Sequence, residues 1–480
     1  METYDLPDEL NEPGALTYEE ALEALHESLQ FGIEPSLEGV RALADQMGRP
    51  QDTYTCLQVA GTNGKSSTVR LVAAILRAHG YRVGLYTSPE LVHYPERMEV
   101  DGKVISRELF GRVVGDAVRG GRELTKRVEA EHLVGADGKP LSGIFTEFEL
   151  LTAAALHLYA LAKVDFAVLE VGMGGRWDAT SIVEPKVAAI TGIGLDHTAI
   201  LGDTVEQIAG EKAAVIKPGS IPVLGPGTAE TTPVFMEQAR ATGAQPIAVR
   251  EGFGSKATAS PVDESHTVRY AGRMRSGVVT DDIQGIYAKY MSVGMHAPSY
   301  QKANIATAVA ICEQALGHAL DLAALRKAVG ELQVPGRFET LSRNPQLIID
   351  AAHNPESATV LATAIRERFD DGRTFSKPTI LLGIFADKDY RGIIRALAPV
   401  ADHFVVSASN NSRSLTPEQL QGIVTEETGV RPEAYPSLEE AVAALRAPAR
   451  RGQNAPAVVA TGSISVAGEV KGLQLEGKIR

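Results

Sequence analysis

The chain has 480 residues, of which 44% are hydrophobic and 22% charged, with a formal net charge of −13 and a mean hydropathy of −0.05. That length exceeds what one core holds, so two or three domains are expected. The acidity argues against nucleic acid or an anionic membrane as the main partner. Cys56 and Cys312 are the only cysteines and support neither a disulfide framework nor a thiolate metal site. The longest apolar run, Leu150 to Ala162, is broken by Thr152 and His157 and is too short for a bilayer. The acidic opening METYDLPDELNEPG has no apolar signal core, so a cytoplasmic protein is expected.

Thr17-Tyr18-Glu19-Glu20 is a capping box that opens a helix to about Phe31, and a second helix is predicted from Ser36 to Met47. Alternation from Thr53 to Val59 predicts a strand. Gly61-Thr62-Asn63-Gly64-Lys65-Ser66-Ser67 follows, and then Val69, Val72, Ala73 and Leu76 recur at helical spacing up to Gly80. Strand, Gly-rich turn and helix aim backbone N–H groups and the positive end of a helix dipole at one spot, which suits a phosphate. Lys65 adds a point charge, and Ser66 or Ser67 offers a hydroxyl to Mg²⁺. The general nucleotide-loop pattern has Gly where this chain has Val59, so a plain tight turn is the competing reading.

Arg82 to Tyr86 reads as a strand ending in Thr87-Ser88-Pro89-Glu90. Arg119 to Gly143, dense in charge of both signs, reads as a solvated helix and surface loop. Phe145 to Ala162 is helical, and Val164 to Leu169 is a buried strand followed at once by Glu170-Val171-Gly172-Met173-Gly174-Gly175-Arg176-Trp177-Asp178. Val187 to Thr191 is another strand and leads to Asp196-His197; a helix near Val205 to Ile216 carries Glu211 and Lys212. Short alternating runs from Arg250 to Met295 predict a small antiparallel sheet, and Tyr300 to Leu316 a helix. Val334-Pro335-Gly336-Arg337-Phe338 reads as a hinge.

Strand–helix alternation then restarts. Strands are predicted at Leu347 to Ile349, Thr379 to Leu382 and Ala457 to Ala460. Asn354 caps a helix with Pro355 at its first position, and capping boxes stand at Thr416 to Gln419 and Ser437 to Glu440. Such alternation implies parallel sheets covered on both faces, with ligands at the carboxyl ends of the strands. Four polar clusters fall there: Gly61 to Ser67, Thr87 to Glu90, Glu170 to Asp178, and Asp196 with His197. Glu170 reads either as a buried hydrogen-bonded carboxylate or as a Mg²⁺ ligand. His197 alone suits a structural role as well as a metal or phosphate role. Lys212 by itself reads as a paired or snorkelling lysine. In Asp350-Ala351-Ala352-His353-Asn354-Pro355, capping explains Asn354 but leaves His353 unexplained, and Asp387-Lys388-Asp389 reads as a charged turn.

In their order these stretches resemble the folylpolyglutamate synthase and dihydrofolate synthase family within the Mur ligase superfamily. The resemblance rests on Gly61 to Lys65, Ser88-Pro89, Phe148-Glu149, Glu170 to Thr180, Leu195-Asp196-His197, Glu211-Lys212-Ala213, Pro335 to Phe338, Asp350 to Pro355 and Asp387-Lys388-Asp389. It implies an α/β protein with a P-loop ATP-binding domain over 1–333, containing a mainly parallel sheet and a small antiparallel one. A hinge at 334–338 and a Rossmann-like glutamate-ligase domain over 339–480 would follow. It further implies that Gly61, Thr62, Asn63, Gly64, Lys65, Ser66, Ser67, Asn304, Arg337 and Asp350 bind ATP, and that Ser88, Glu170, His197 and a carbamylated Lys212 hold two Mg²⁺. His353 would lie by the incoming L-glutamate, and Thr146, Phe148 and Asp178 by a dihydropteroate or reduced folate. The implied enzyme is a monomer that forms an amide through an acyl phosphate, with Lys65, Glu170, His197, Lys212 and His353 catalytic, and is expected to carry out both folate steps. A cell-wall precursor ligase and a nucleotide-regulated binding protein are the competing readings. The chain departs from the family in Ser66-Ser67, where Gly and then Ser or Thr is usual, and in Ser181, where Asn is common.

Overall fold

The structure is a computed structural model that describes residues 2–7, 16–28, 36–260, 262–275, 277–450 and 455–479, with backbone alone for 255, 275 and 448–450. The expected end of the first helix at Phe31 lies outside the described residues.

Among these residues the first sheet has eleven strands. In chain order they are β1 Thr55–Ala60, β2 Val83–Tyr86, β3 Met98–Val100, β4 Lys103–Val104, β5 Phe166–Glu170, β6 Val187–Gly192, β7 Ile221–Gly227, β8 Ile247–Glu251, β9 Thr267–Arg275, β10 Val278–Gln284 and β11 Lys289–Met295. Their spatial order is β11-β10-β9-β8-β7-β6-β1-β5-β2-β3-β4. Pairing is parallel from β9 across to β2 and antiparallel at both ends. The predicted antiparallel strands between Arg250 and Met295 are present, and they extend this sheet rather than standing apart from it.

β1 lies in the middle because its run Cys56-Leu57-Gln58-Val59-Ala60 is buried throughout and accepts helices on both faces. One face packs under the helices Lys65–Ala78, Gln301–Leu316 and Leu322–Glu331. The other packs under Tyr18–Ser28, Glu38–Gln46, Arg107–Glu131 and Glu147–Leu161. The helix Arg107–Glu131 includes the start of the segment expected, from Arg119 to Gly143, to be a solvated helix and surface loop. Its first half carries Leu109, Phe110, Val113, Val114 and Ala117 into the core, and Gly120, Gly121 and Leu124 are buried too. Only its last turns and the loop beyond are as open as their charge implied.

The second sheet comprises β12 Glu339–Arg343, β13 Gln346–Ile349, β14 Thr379–Leu382, β15 Phe404–Val406, β16 Glu433–Ala434 and β17 Val458–Thr461, in the order β12-β13-β17-β14-β15-β16. It is parallel apart from β12. Helices Pro355–Phe369, Tyr390–Leu397 and Pro417–Thr428 cover one face and Leu438–Arg450 and Ile464–Leu475 the other. The two bodies meet with the carboxyl ends of both sheets facing one cleft. The segment after β2 crosses over, so that Leu91 packs against the core beneath Ile464–Leu475.

Candidate active site

Register brings the ends of four strands together. Val59 pairs with Glu170 of β5 on one side and Ala189 of β6 on the other, and Tyr86 of β2 pairs with Leu169. The turn after β1 can be made only with glycine. Gly61 has φ +148° and an added Cβ would stand 2.0 Å from Thr191 Oγ1; Gly64 has φ +86° and a Cβ there would meet Asn304 Oδ1 at 2.7 Å. The turn is pinned to the end of β6: Thr62 N donates to Gly192 O at 2.8 Å, Thr62 Oγ1 to Gly194 O at 3.1 Å, and Thr191 Oγ1 to Asn63 O at 2.6 Å. Lys65 Nζ folds back onto the turn and donates to Gly61 O at 2.9 Å and Thr62 O at 3.1 Å. Burial draws the Lys65 amine below its ordinary range, opposed by Glu170 and Asp196.

Glu170 is buried at the tip of β5. Its Oε1 accepts from Ser66 Oγ at 2.7 Å, and Ser88 N lies 3.4 Å from Oε2. Burial raises the carboxyl, with Lys65 and then Ser66 pulling it back. Ser67 turns inward and accepts from Gln301 Nε2 at 3.2 Å, so Ser66 is the loop hydroxyl that faces the glutamate. Ser88 Oγ is buried in the same place with no hydrogen-bond partner.

Asp196 follows β6, and its side chain is only 10% exposed. Lys388 Nζ donates to its Oδ1 at 2.6 Å, and Nε2 of His353 and of His197 lie 3.4 and 3.8 Å from Oδ2. Burial would raise this carboxyl, but the His353 and Lys388 contacts win and hold it well below the carboxylate range. His197 has φ +52° and opens the short helix Thr198–Leu201. Burial lowers its imidazole against the pull of Asp196. Lys212, 4% exposed on the helix Val205–Ala213, is drawn by burial, and then by Lys65, down to about 7. Lys65, His197 and Lys212 therefore share one cleft with Ser88 and Glu170.

The second body closes the cleft from β13, β14 and β15. Asp350 ends β13 and accepts from Phe338 N at 2.8 Å and Ala352 N at 2.9 Å; burial raises its carboxyl and Arg337 opposes this. His353 Nδ1 lies 2.9 Å from Ala351 O. Asn354 caps Pro355–Phe369 by accepting from Ser357 N at 2.8 Å. Asn304, on Gln301–Leu316, donates to Gln301 Oε1 at 2.8 Å. Asn304, Arg337, Asp350 and His353 all line the cleft.

Thr146, Phe148 and Asp178 lie beside that lining rather than in it. Thr146 caps Glu147–Leu161. Phe148 and Asp178 flank Gly172, where an added Cβ would meet Phe148 Cζ at 2.7 Å and Asp178 Oδ2 at 3.1 Å. Asp178 accepts from Met173 N at 2.9 Å and Thr180 N at 3.0 Å.

Sequence reading assigned no role to Tyr300, Glu356, Lys388 and Arg413, which line the same cleft. Glu356 accepts from Asn63 Nδ2 at 2.8 Å, so the second body touches the nucleotide loop directly. In the sequence Glu356 is only an acidic residue in a helix's first turn, and no local signal separates that role from this one. Among the described residues no group of three or more His, Cys, Asp and Glu side chains could hold a metal. A cation here would need hydroxyl and phosphate oxygens besides Glu170. Mg²⁺ in nucleotide sites takes one or two carboxylates with phosphate oxygens, and the unpartnered Ser88 Oγ fits that donor set.

Residues 336–464 match the family model "Mur ligase, glutamate ligase domain". The chain is 34% identical to the probable bifunctional folylpolyglutamate synthase/dihydropteroate synthase of Haloferax volcanii over 95% of its own length, and spans about half of that protein. It is 35% identical to the dihydrofolate synthase/folylpolyglutamate synthase of Mycobacterium tuberculosis, over 81% of this chain and 77% of that one. The solved M. tuberculosis folylpolyglutamate synthase complexed with ADP superposes with a TM-score of 0.83 at 31% identity, over 95% of this chain and 98% of the other. The chain belongs to the dihydrofolate synthase/folylpolyglutamate synthase family.

Proposed function

We propose that the protein is an ADP-forming ligase that joins L-glutamate to a pteroate or folate carboxylate, serving both dihydrofolate synthesis and polyglutamate extension. One observation carries the reading. A glycine-bounded loop with Lys65, and Glu170 with Ser66 and Ser88, face His353 and Lys388 of a second body across a single cleft. Relatives named for both folate steps support the choice of substrate class.

A carboxylate does not react with an amine at neutral pH, because its leaving group is poor. Transfer of the γ-phosphoryl group of ATP gives an acyl phosphate, which the glutamate amine attacks to form the amide and release phosphate. The nucleotide and the acceptor are both anionic, so Lys65 offsets repulsion as they approach. Asn304, Arg337 and Asp350 would hold the nucleoside and its phosphates. Glu170, Ser66 and Ser88 would hold one Mg²⁺, and His197 with a carbamylated Lys212 a second. Bound there, the ions supply charge neutralisation for phosphoryl transfer. Lys212 suits carbamylation because an amine held near neutrality is nucleophilic toward CO₂ at physiological pH. Phe148 and Asp178, with Thr146 nearby, would take the pterin end. In this reading 1–333 is the ATP-binding domain, 334–338 the hinge and 339–480 the amino-acid domain, and closure about the hinge keeps water from the acyl phosphate.

The test is ADP release from ATP and glutamate with dihydropteroate, tetrahydrofolate or a cell-wall nucleotide peptide as acceptor. Release with the first two is expected. Release with only the third would make the protein a cell-wall ligase, and nucleotide binding without release under any acceptor would make it a binding protein.

A further inference from the structure

Each charge of Asp387-Lys388-Asp389, a motif that composition explains as a turn, has a separate task in the fold. Asp387 takes Arg413, whose Nη2 lies 2.6 Å from Oδ2. Asp389 caps Tyr390–Leu397 by accepting from Gly392 N at 2.8 Å. These two fix the loop, and Lys388 is left to cross to the first body, where it meets Asp196. His353, also from the second body, reaches the other oxygen of the same carboxylate. The side chains of Asp196 and Lys388 are 10% and 12% exposed, so this ion pair is shielded from water, whereas Asn63 to Glu356 lies at an exposed edge and Asn354 to Asn63 and Ser299 to Glu367 are contacts without a paired cation. A shielded charge that loses its partner is left uncompensated, which makes such a pair sensitive to the removal of either member.

We infer that Asp196 is a positioning residue for the amino-acid half of the reaction: it docks Lys388 and His353 of the second body onto the strand edge that carries the nucleotide loop. The inference rests on the ligase reading for its kinetic consequences but not for its geometry. Without the carboxylate the closed arrangement loses its shielded tie. The acyl phosphate then meets water more often than amine, and hydrolysis returns the carboxylate and inorganic phosphate with ATP spent and no amide made.

The experiment uses the full chain with Asp196→Asn, Lys388→Met and the double variant. Both native cysteines are buried, so spin labels placed at Glu206→Cys and Glu418→Cys on the two bodies report their separation selectively. With a non-hydrolysable ATP analogue bound, each single variant should lengthen and broaden the label distance. Each should raise the KM for glutamate tenfold or more while nucleotide affinity stays within about twofold, and ADP formed per amide should rise above one. The double variant should be no worse than the worse single one, a tenfold departure from additivity that corresponds to about 1.4 kcal/mol. Additive effects, unchanged label distances, or lost nucleotide affinity with an unchanged KM for glutamate would overturn the inference, the last by showing that Asp196 acts through His197. Asp196→Asn is isosteric, and Lys388→Met tests the same tie from the other side if the first variant folds poorly. The label distances need no turnover, so an unaltered chain that releases no ADP would refute the ligase reading while leaving the docking role measured.

Discussion

Glu170 is held in a balance: burial favours its neutral form, and Lys65 and Ser66 favour the ionised one. Glu170→Gln keeps the shape and the Ser66 contact but removes the charge a cation would need. Nucleotide affinity is expected to stay within a few-fold and ADP release to fall at least about a hundredfold, the size of effect seen when one electrostatic element of a phosphoryl-transfer site is lost. Trp177 is the only tryptophan and is 52% exposed on the loop after Glu170, so its fluorescence can report binding while a coupled assay reports turnover. Lys212 gives a prediction with a pH sign. Burial draws its amine down to about 7, and below that value it is an ammonium ion and unreactive toward CO₂. A carbamate signal from ¹³C-bicarbonate should appear above pH 7, fade as pH falls through 7, and be absent in Lys212→Met.

At the scale of elements, the turn between β1 and Lys65–Ala78 is the least tolerant of change. Gly61→Ala would put a methyl group 2.0 Å from Thr191 Oγ1 at a φ of +148°, so the turn must shift away from β6. A loss of about 1–3 kcal/mol in denaturant stability is expected, with nucleotide binding abolished. β10 carries a second prediction. Asp281 is fully buried, neither carboxylate oxygen has a partner, and burial pushes its carboxyl up to about 7 against the pull of Lys302. The folded state then holds a proton that the unfolded chain releases near pH 4, so stability falls as pH rises from about 4 to 7. Asp281→Asn should be more stable than the parent at pH 8 by about 1–3 kcal/mol, and the gain should vanish near pH 4 in urea titrations at each pH.

Elements with local signals were readable from the chain. β1, β5 and β6 announce themselves by buried runs that end in polar clusters, and Thr17, Asn354 and Thr416 cap helices as their spacing predicts. The helix Arg107–Glu131 was not readable in full, because the charges near its end mask an apolar stripe in its first half. The Asp196–Lys388 tie was not readable at all: its members stand 192 positions apart, and neither has a neighbour in sequence that implies the other. Which of Ser66 and Ser67 faces Glu170 is likewise decided by Gln301 on a distant helix.

At the scale of the whole molecule, charge is distributed against the average. The chain carries a net −13, yet Lys65, Lys212, Arg337, Lys388 and Arg413 all line one cleft. The acidic groups there are Glu170, Asp196, Asp350 and Glu356; Asp196 takes up Lys388, Asp387 takes up Arg413, and Lys212 at about 7 contributes only part of a charge at neutral pH, which leaves Lys65 and Arg337 as the principal cations for a phosphate. A triphosphate approaching from solvent meets a molecule of net negative charge, and Lys65 and Arg337 are the cleft groups that attract it. Low-dielectric walls strengthen that attraction, and salt weakens it beyond a Debye length of about 10 Å at 0.1 M. The association rate of a fluorescent ATP analogue, followed by stopped flow, should therefore fall about three- to tenfold between 0.05 and 0.5 M salt while its dissociation rate changes little. Arg413 lines the cleft with its guanidinium beside Asp387 and half exposed, so Arg413→Gln should flatten that salt dependence while changing the dissociation rate at low salt less than about twofold in either direction. A dissociation rate that carried most of the salt effect would locate the attraction in the bound complex, at Lys65 and Arg337, rather than in the approach to the cleft.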